Sequence, residues 1–110
     1  MFVRFARFEG ADAGTRDARF GRLRESIEAV KAGEVPEGMP PEAAEILRGS
    51  VVRILSVVDP RDGAEGNAVF CATAEDLERV DGVLNAMSPP GGDGHRTDLA
   101  HYEVVFDVEM

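Results

Sequence analysis

Residues 51–63 read VVRILSVVDPRDG, and this stretch decides the fold. The segment Val51–Val58 is apolar except for Arg53 and Ser56, which is typical of a strand with little water on either face. Strict alternation predicts two groups of side chains, one on each face. They are Val52, Ile54 and Val58 on one face and Val51, Leu55 and Val57 on the other.

The residues that follow predict a β-hairpin. In Asp59-Pro60-Arg61-Asp62-Gly63 the proline presets its own φ and the glycine accepts a positive φ, so the chain can reverse. The segment Asn67–Ala72 then returns as a second strand.

Working outward from the hairpin, a strand and a helix are predicted on each side of it. Apolar residues three and four apart form one helical stripe before it, Phe20, Leu23, Ile27 and Val30, and another after it, Leu77, Val80, Leu84 and Met87. The other predicted elements are a strand over Phe2–Phe8, a helix from Thr15 to near Gly33, a short helix over Pro41–Arg48, a helix starting at Thr73, and a strand over Tyr102–Val108 that reaches almost to Met110.

The resulting order is βαββαβ, which predicts an α+β protein of ferredoxin-like fold. Right-handed crossovers then give a four-stranded antiparallel sheet with two main helices on one face. The length of 110 residues fits a single domain, residues 1–110.

Composition restricts the possible partners. Twelve basic against twenty-one acidic residues give a net charge of −9, which repels a phosphate backbone and an anionic membrane surface. Cys71 is the only cysteine, so there is no internal disulfide or cysteine-based zinc cluster. No apolar run approaches the roughly 20 residues of a membrane span. We expect a cytoplasmic protein with no nucleic acid or membrane partner, no metal and no cofactor.

The strands are too apolar for a sheet with one wet face. Two helices cover only one face, yet Val51–Val58 and Phe2–Phe8 carry apolar side chains on both. A two-fold homodimer through the open sheet face would cover them. The competing explanation is that the loops Gly33–Gly49 and Ser88–Leu99 fold over that face.

Three stretches carry a family resemblance. They are Phe2-Val3-Arg4-Phe5, Val57-Val58-Asp59-Pro60-Arg61-Asp62-Gly63, and Ala68-Val69-Phe70-Cys71-Ala72-Thr73-Ala74-Glu75-Asp76-Leu77. In these the chain resembles the dimeric α/β-barrel superfamily, especially its antibiotic-biosynthesis-monooxygenase-like members. The resemblance implies two sheets packed face to face as a barrel, with a pocket between each sheet and its own helices.

The chain also departs from that family. Members that oxidise polycyclic substrates or open haem rely on a tryptophan, and this chain has none. No catalytic assignment therefore carries over residue by residue. RNA-recognition domains share the same element order, but Asn67, Val69 and Cys71 stand where base-stacking aromatic rings are needed, so RNA binding is a remote alternative.

Four residues are candidates for chemistry. Cys71 could be a nucleophile near a helix N-terminus, or simply a small buried hydrophobe. His101 could relay a proton, or be solvated at the start of its strand. Asn67 could bond a ligand or cap a strand end. Arg53, like Arg4, interrupts an apolar strand and could meet an anionic ligand or a structural partner, which for Arg4 would be Glu103 or Asp107.

Two functions remain open from the sequence. The first is a non-catalytic dimeric module that binds a small hydrophobic molecule or serves as an accessory protein. The alternative is a cofactor-free monooxygenase or isomerase in which Arg53, Asn67, Cys71 and His101 supply the polar groups.

Overall fold

A computed structural model describes residues 1–87 and 94–110. Its strands are β1 (Phe2–Glu9), β2 (Val51–Val58), β3 (Glu65–Cys71) and β4 (His95–Glu103). Its helices are α1 (Arg16–Lys31), which follows a short 3-10 turn at Ala13–Thr15, then α2 (Pro41–Ser50) and α3 (Ala74–Asn85).

The four strands form one antiparallel sheet in the order β2-β3-β1-β4. Arg4 at the centre of the sheet stands opposite Val69 on β3 and His101 on β4. This order, with helices joining β1 to β2 and β3 to β4, confirms the predicted ferredoxin-like α+β fold.

The main core lies between the sheet and the helices α2 and α3. Val69, Cys71, Leu77 and Val80 are its buried centre, and each is at most 5% exposed. Partly buried side chains surround them: Phe2, Ile46, Leu47, Val51, Ile54 and Leu84. Ile46 and Leu47 belong to α2, so the predicted short helix within residues 33–49 packs on the helix side and not over the opposite face of the sheet.

A β-bulge corrects the predicted faces of β2. The pairing register shifts between Val51 and Arg53, and as a result Val51 and Ile54 both point into the core. Val52, predicted to share a face with Ile54, is instead 57% exposed. An extra residue in a strand cannot be read from alternation alone, because apolar residues on both faces fit either register.

The predicted bounds of the fourth strand were also wrong. β4 runs over His95–Glu103, so it begins inside the predicted Ser88–Leu99 loop and shares only Tyr102 and Glu103 with the predicted strand, and residues 104–110 are not part of the sheet. β4 lies at the sheet edge and faces water along much of its length, which explains its polar sequence HRTDLAHYE. The rest of the predicted 88–99 loop, residues 88–93, lies outside the described residues.

None of the helices in the described part of the chain has the length and hydropathy needed to cross a bilayer.

Candidate ligand site between α1 and the sheet

A buried ion pair joins α1 to the helix side of the sheet. Arg19 donates from Nη1 to Oε1 of Glu65 over 2.7 Å and from Nη2 to Oε2 over 2.8 Å. The side chains are only 2% and 8% exposed. The Arg19 hydrogen bonds keep the pKa of Glu65 below its ordinary value, even though burial alone would raise it. Both residues are therefore charged at neutral pH.

The same pair fixes which side of α1 faces the sheet. Leu23 and Ile27 follow Arg19 at intervals of four residues, so they lie on the helix face that carries Arg19 toward Glu65. Val30 ends this stripe and is buried, but Phe20, Leu23 and Ile27 are only partly buried. The apolar face of α1 is therefore directed at the sheet without being sealed against it.

Two polar side chains lie on the sheet opposite this face. Asn67 follows Glu65 and precedes Val69 on the helix-facing side of β3, and it pairs with Ser56 on β2. Ser56 Oγ donates to Asn67 Oδ1 over 2.8 Å, and this bond is accessible to water. Because these helix-facing positions remain accessible to water, α1 does not fully cover Ser56 and Asn67, and we call the open space above them the α1 cleft.

A second polar group connects β1, α3 and β4. Arg4, whose side chain is 5% exposed, donates from Nε to Asp81 Oδ1 over 2.7 Å and from Nη2 to Asn85 Oδ1 over 2.9 Å. Asn85 also accepts from Arg96 Nη1 over 2.6 Å. His101 Nε2 lies 3.2 Å from Asp81 Oδ1. We call these five residues the Arg4 network.

The Arg4 network corrects the predicted partner of Arg4. A structural pairing was one of the two readings, but the carboxylate comes from Asp81 of α3 and not from Glu103 or Asp107. Burial alone would raise the pKa of Asp81, yet the hydrogen bonds from Arg4 and His101 outweigh it and the pKa is lowered. Asp81 is thus ionised, and His101, whose side chain is 41% exposed, lies within hydrogen-bond distance of it.

The four candidate residues lie in separate places. Cys71 is fully buried in the core, and desolvation raises the pKa of its thiol, so it packs as a small hydrophobe. Arg53 is exposed on the sheet face opposite the helices, across from Phe70. Asn67 lies in the α1 cleft, and His101 lies in the Arg4 network. The structure therefore does not bring the four together as one site.

Sequence reasoning missed Arg19, Glu65, Asp81 and Asn85. A signal for them exists in the sequence, because Arg19 is in helical phase with Leu23, and Glu65 is in strand phase with Val69. Asp81 and Asn85 likewise lie one turn apart beside the buried stripe of α3. A charged residue in phase with an apolar stripe should have been taken as half of an interior pair.

Two surface depressions lie elsewhere. One of about 350 Å³ is on the face opposite the helices and is lined by residues that include Phe5, Val57, Pro60 and Gly66. The other, of about 270 Å³, lies between residues 9–13 and 62–64 and includes Arg16. Within residues 1–87 and 94–110 there is no group of three histidine, cysteine or carboxylate side chains able to hold a metal ion.

Comparison with known proteins adds one informative likeness. No protein-family model and no curated protein matches the sequence. Among solved structures, the chain is similar to a mutant of MhuD crystallised with two manganese protoporphyrin IX molecules bound per active site. The TM-score is 0.63 at 15% sequence identity, and the match covers 100% of both chains. The two chains share a fold. At this identity, the likeness is evidence for the ferredoxin-like arrangement and not for the ligand.

Proposed function

We propose that this protein is a homodimer that binds a small hydrophobic molecule in the cleft between α1 and the sheet. One observation carries the proposal: Ser56 and Asn67 lie on the helix-facing side of the sheet and remain accessible to water. In a sealed two-layer domain those positions would be covered by α1 and occupied by apolar residues.

The chemistry of the cleft favours a neutral, largely apolar ligand. Small-molecule sites are mostly apolar and contain a few polar groups that fix the orientation of the ligand. Here the apolar residues are Phe20, Leu23 and Ile27 of α1, and the polar groups are Ser56 and Asn67 of the sheet. The net charge of −9 disfavours anions at long range. The similar MhuD mutant was crystallised with manganese protoporphyrin IX, so a protein of this fold can hold a small molecule.

The dimer is supported by the sheet face opposite the helices, which we call the outer face. It carries a continuous apolar surface formed by Val3, Phe5, Leu55, Val57, Phe70 and Tyr102. Leu55, Val57 and Tyr102 are 38%, 45% and 57% exposed. An exposed patch of this kind marks an interaction surface, and a second copy supplies a matching one.

The ligand site is tested by the same substitution on the two faces of the sheet. Leu23→Ala alters the α1 cleft, whereas Leu55→Ala alters the outer face. Titration with the neutral hydrophobic dye Nile red should show affinity reduced about tenfold in Leu23→Ala, since one or two buried methylenes contribute about 1.4 kcal/mol. Leu55→Ala should bind dye as the unsubstituted protein does.

Native mass spectrometry of freshly purified protein completes this test, because it reports both the oligomer mass and any retained compound. The neutral apolar amine N-phenyl-1-naphthylamine serves as a second probe. The cleft is rejected if Leu23→Ala binds both probes normally, or if Leu55→Ala loses them to the same extent.

A cofactor-free monooxygenase or isomerase is the second candidate, and it rests on the contact between His101 and Asp81. In that case His101→Gln should abolish conversion of the natural compound and leave its retention intact. Unchanged conversion by His101→Gln would remove this candidate.

A further inference from the structure

Residues 104–110 leave the sheet and expose their apolar side chains. The Val104 N–H donates to the Met1 carbonyl over 2.9 Å. Beyond it, Val105, Phe106 and Val108 are 89%, 80% and 64% exposed. Leaving three large apolar side chains of one short segment exposed to water is unfavourable, so we expect a surface that covers them.

The segment has a second property, its charge. Asp107 and Glu109 alternate with Phe106 and Val108, so the segment VVFDVEM offers both apolar contacts and two carboxylates. A matching surface must therefore be apolar and carry a positive group.

The start of β2 on the outer face has both properties. Arg53 is exposed there among apolar side chains, and within residues 1–87 and 94–110 it has no ion-pair partner. Across the sheet it lies in one row with Phe70, Val3 and Tyr102. An unpaired arginine on an apolar surface is suited to a carboxylate carried by an apolar strand.

The surface and the segment do not meet within one chain. β2 and β4 are the two opposite edges of the sheet, three strand spacings or about 14 Å apart. In a second copy they can meet. A two-fold axis parallel to the strands turns one outer face onto the other, places β4 of one copy over β2 of the other, and keeps the same strand ends together.

We propose that residues 104–110 of each subunit turn back at the end of β4 and lie along the start of β2 in a second copy, with Asp107 and Glu109 beside Arg53. The proposal rests on the homodimer proposed above and adds the segment that closes it. Each dimer would contain this contact twice.

Charge reversal tests the contact. Arg53→Glu should raise the dimer dissociation constant about tenfold at low salt, because both copies of the contact become repulsive and exposed pairs contribute roughly 0.2–1 kcal/mol each. The double variant Asp107→Lys/Glu109→Lys should do the same. Arg22→Glu reverses an exposed arginine on α1 and serves as the matched control. Sedimentation equilibrium gives the constants.

Mixing the two variants is the decisive step. A heterodimer of Arg53→Glu with Asp107→Lys/Glu109→Lys contains the contact twice. One copy of the contact pairs the original charges, and the other copy pairs the reversed charges. Native mass spectrometry should therefore show heterodimers in excess of both homodimers. A contact within one chain would give no such excess.

The outcomes separate this proposal from the dimer itself. A dimer that neither charge variant weakens, or a mixture with statistical amounts of each dimer, overturns the placement of residues 104–110 and leaves the dimer standing. A monomeric unsubstituted protein overturns both.

Discussion

Glu65 is buried in the interior of the domain, where its carboxylate forms a bidentate ion pair with Arg19. Removing two charges from water is costly, and the pair offsets that cost only because every oxygen of the carboxylate is bonded. Arg19 also donates from Nε to Thr15 Oγ1 and from Nη2 to the Asp12 carbonyl. The pair therefore ties the start of α1 to β3 and sets the orientation of the apolar stripe that walls the cleft.

A pH dependence of stability follows at the residue scale. The folded-state pKa of Glu65 is lowered from its ordinary value of 4.5, mainly by the Arg19 hydrogen bonds. A carboxylate with a lowered pKa stabilises the fold above its ordinary pKa, and that contribution is lost as the pH falls through the folded-state value. Glu65→Gln should lose about 3 kcal/mol at pH 6, where it removes the carboxylate that faces the buried Arg19 guanidinium.

Urea unfolding at pH 6 and pH 3 measures this effect. The stability difference between the unsubstituted protein and Glu65→Gln should shrink on going to pH 3. The exposed Glu78→Gln is the matched control and should change little at either pH. If the free energies of unfolding of Glu65→Gln and the unsubstituted protein differed by the same amount at pH 6 and pH 3, Glu65 would not be the ionised partner of Arg19.

Single residues were the hardest features to predict from the sequence. That Arg4 needs a partner followed from its apolar neighbours, but the identity of the partner depended on which turn of α3 crosses β1. Helix position over a sheet is a tertiary property that a strand pattern does not contain. Of the two interpretations of Cys71, a nucleophile or a small buried hydrophobe, the second agrees with its complete burial.

At the scale of elements, the hairpin between β2 and β3 was predictable because its turn chemistry is local. The Gly63 N–H donates to the Asp59 carbonyl over 2.9 Å, and Asp62 Oδ1 accepts from the Ala64 N–H. Gly63 adopts a φ of +78°, where a side chain would be strained. The bulge in β2 and the bounds of β4 were not predictable, since both depend on pairing with distant strands.

Two glycine substitutions should therefore have opposite effects. Gly63→Ala forces a β-carbon into the left-handed region and should lower the free energy of unfolding by about 1 kcal/mol. Gly21 lies inside α1 with open space around it, so Gly21→Ala should raise that free energy by about 0.5–1 kcal/mol. Urea unfolding of both variants checks the signs, and a stabilising Gly63→Ala would refute the turn geometry.

At the scale of the whole molecule, the outer face is the largest open question of the fold. The sequence predicted apolar residues on both faces of β2, and Leu55 and Val57 are exposed on the outer face of the single chain. α2 within residues 33–49 packs on the helix side, which leaves a second copy as the cover that we propose.

A dimer of this kind makes thermal stability depend on concentration. Tm should rise as protein concentration rises, because association removes folded monomer from the unfolding equilibrium. Leu55→Asp would place a charge within the outer face and should abolish that rise. Differential scanning calorimetry at two concentrations a hundredfold apart measures both, and a Tm independent of concentration in the unsubstituted protein would count against the dimer.

The pairing of β1 with β4 has a consequence for the protein while it is being made. Phe2 pairs with Glu103, so β1 leaves the ribosome long before β4, its second neighbour in the sheet, has been synthesised. Until then one edge of β1 can pair with any strand nearby, including that of another nascent chain. Cells making this protein quickly should therefore accumulate aggregates before synthesis finishes, and slower translation at lower temperature should raise the soluble yield.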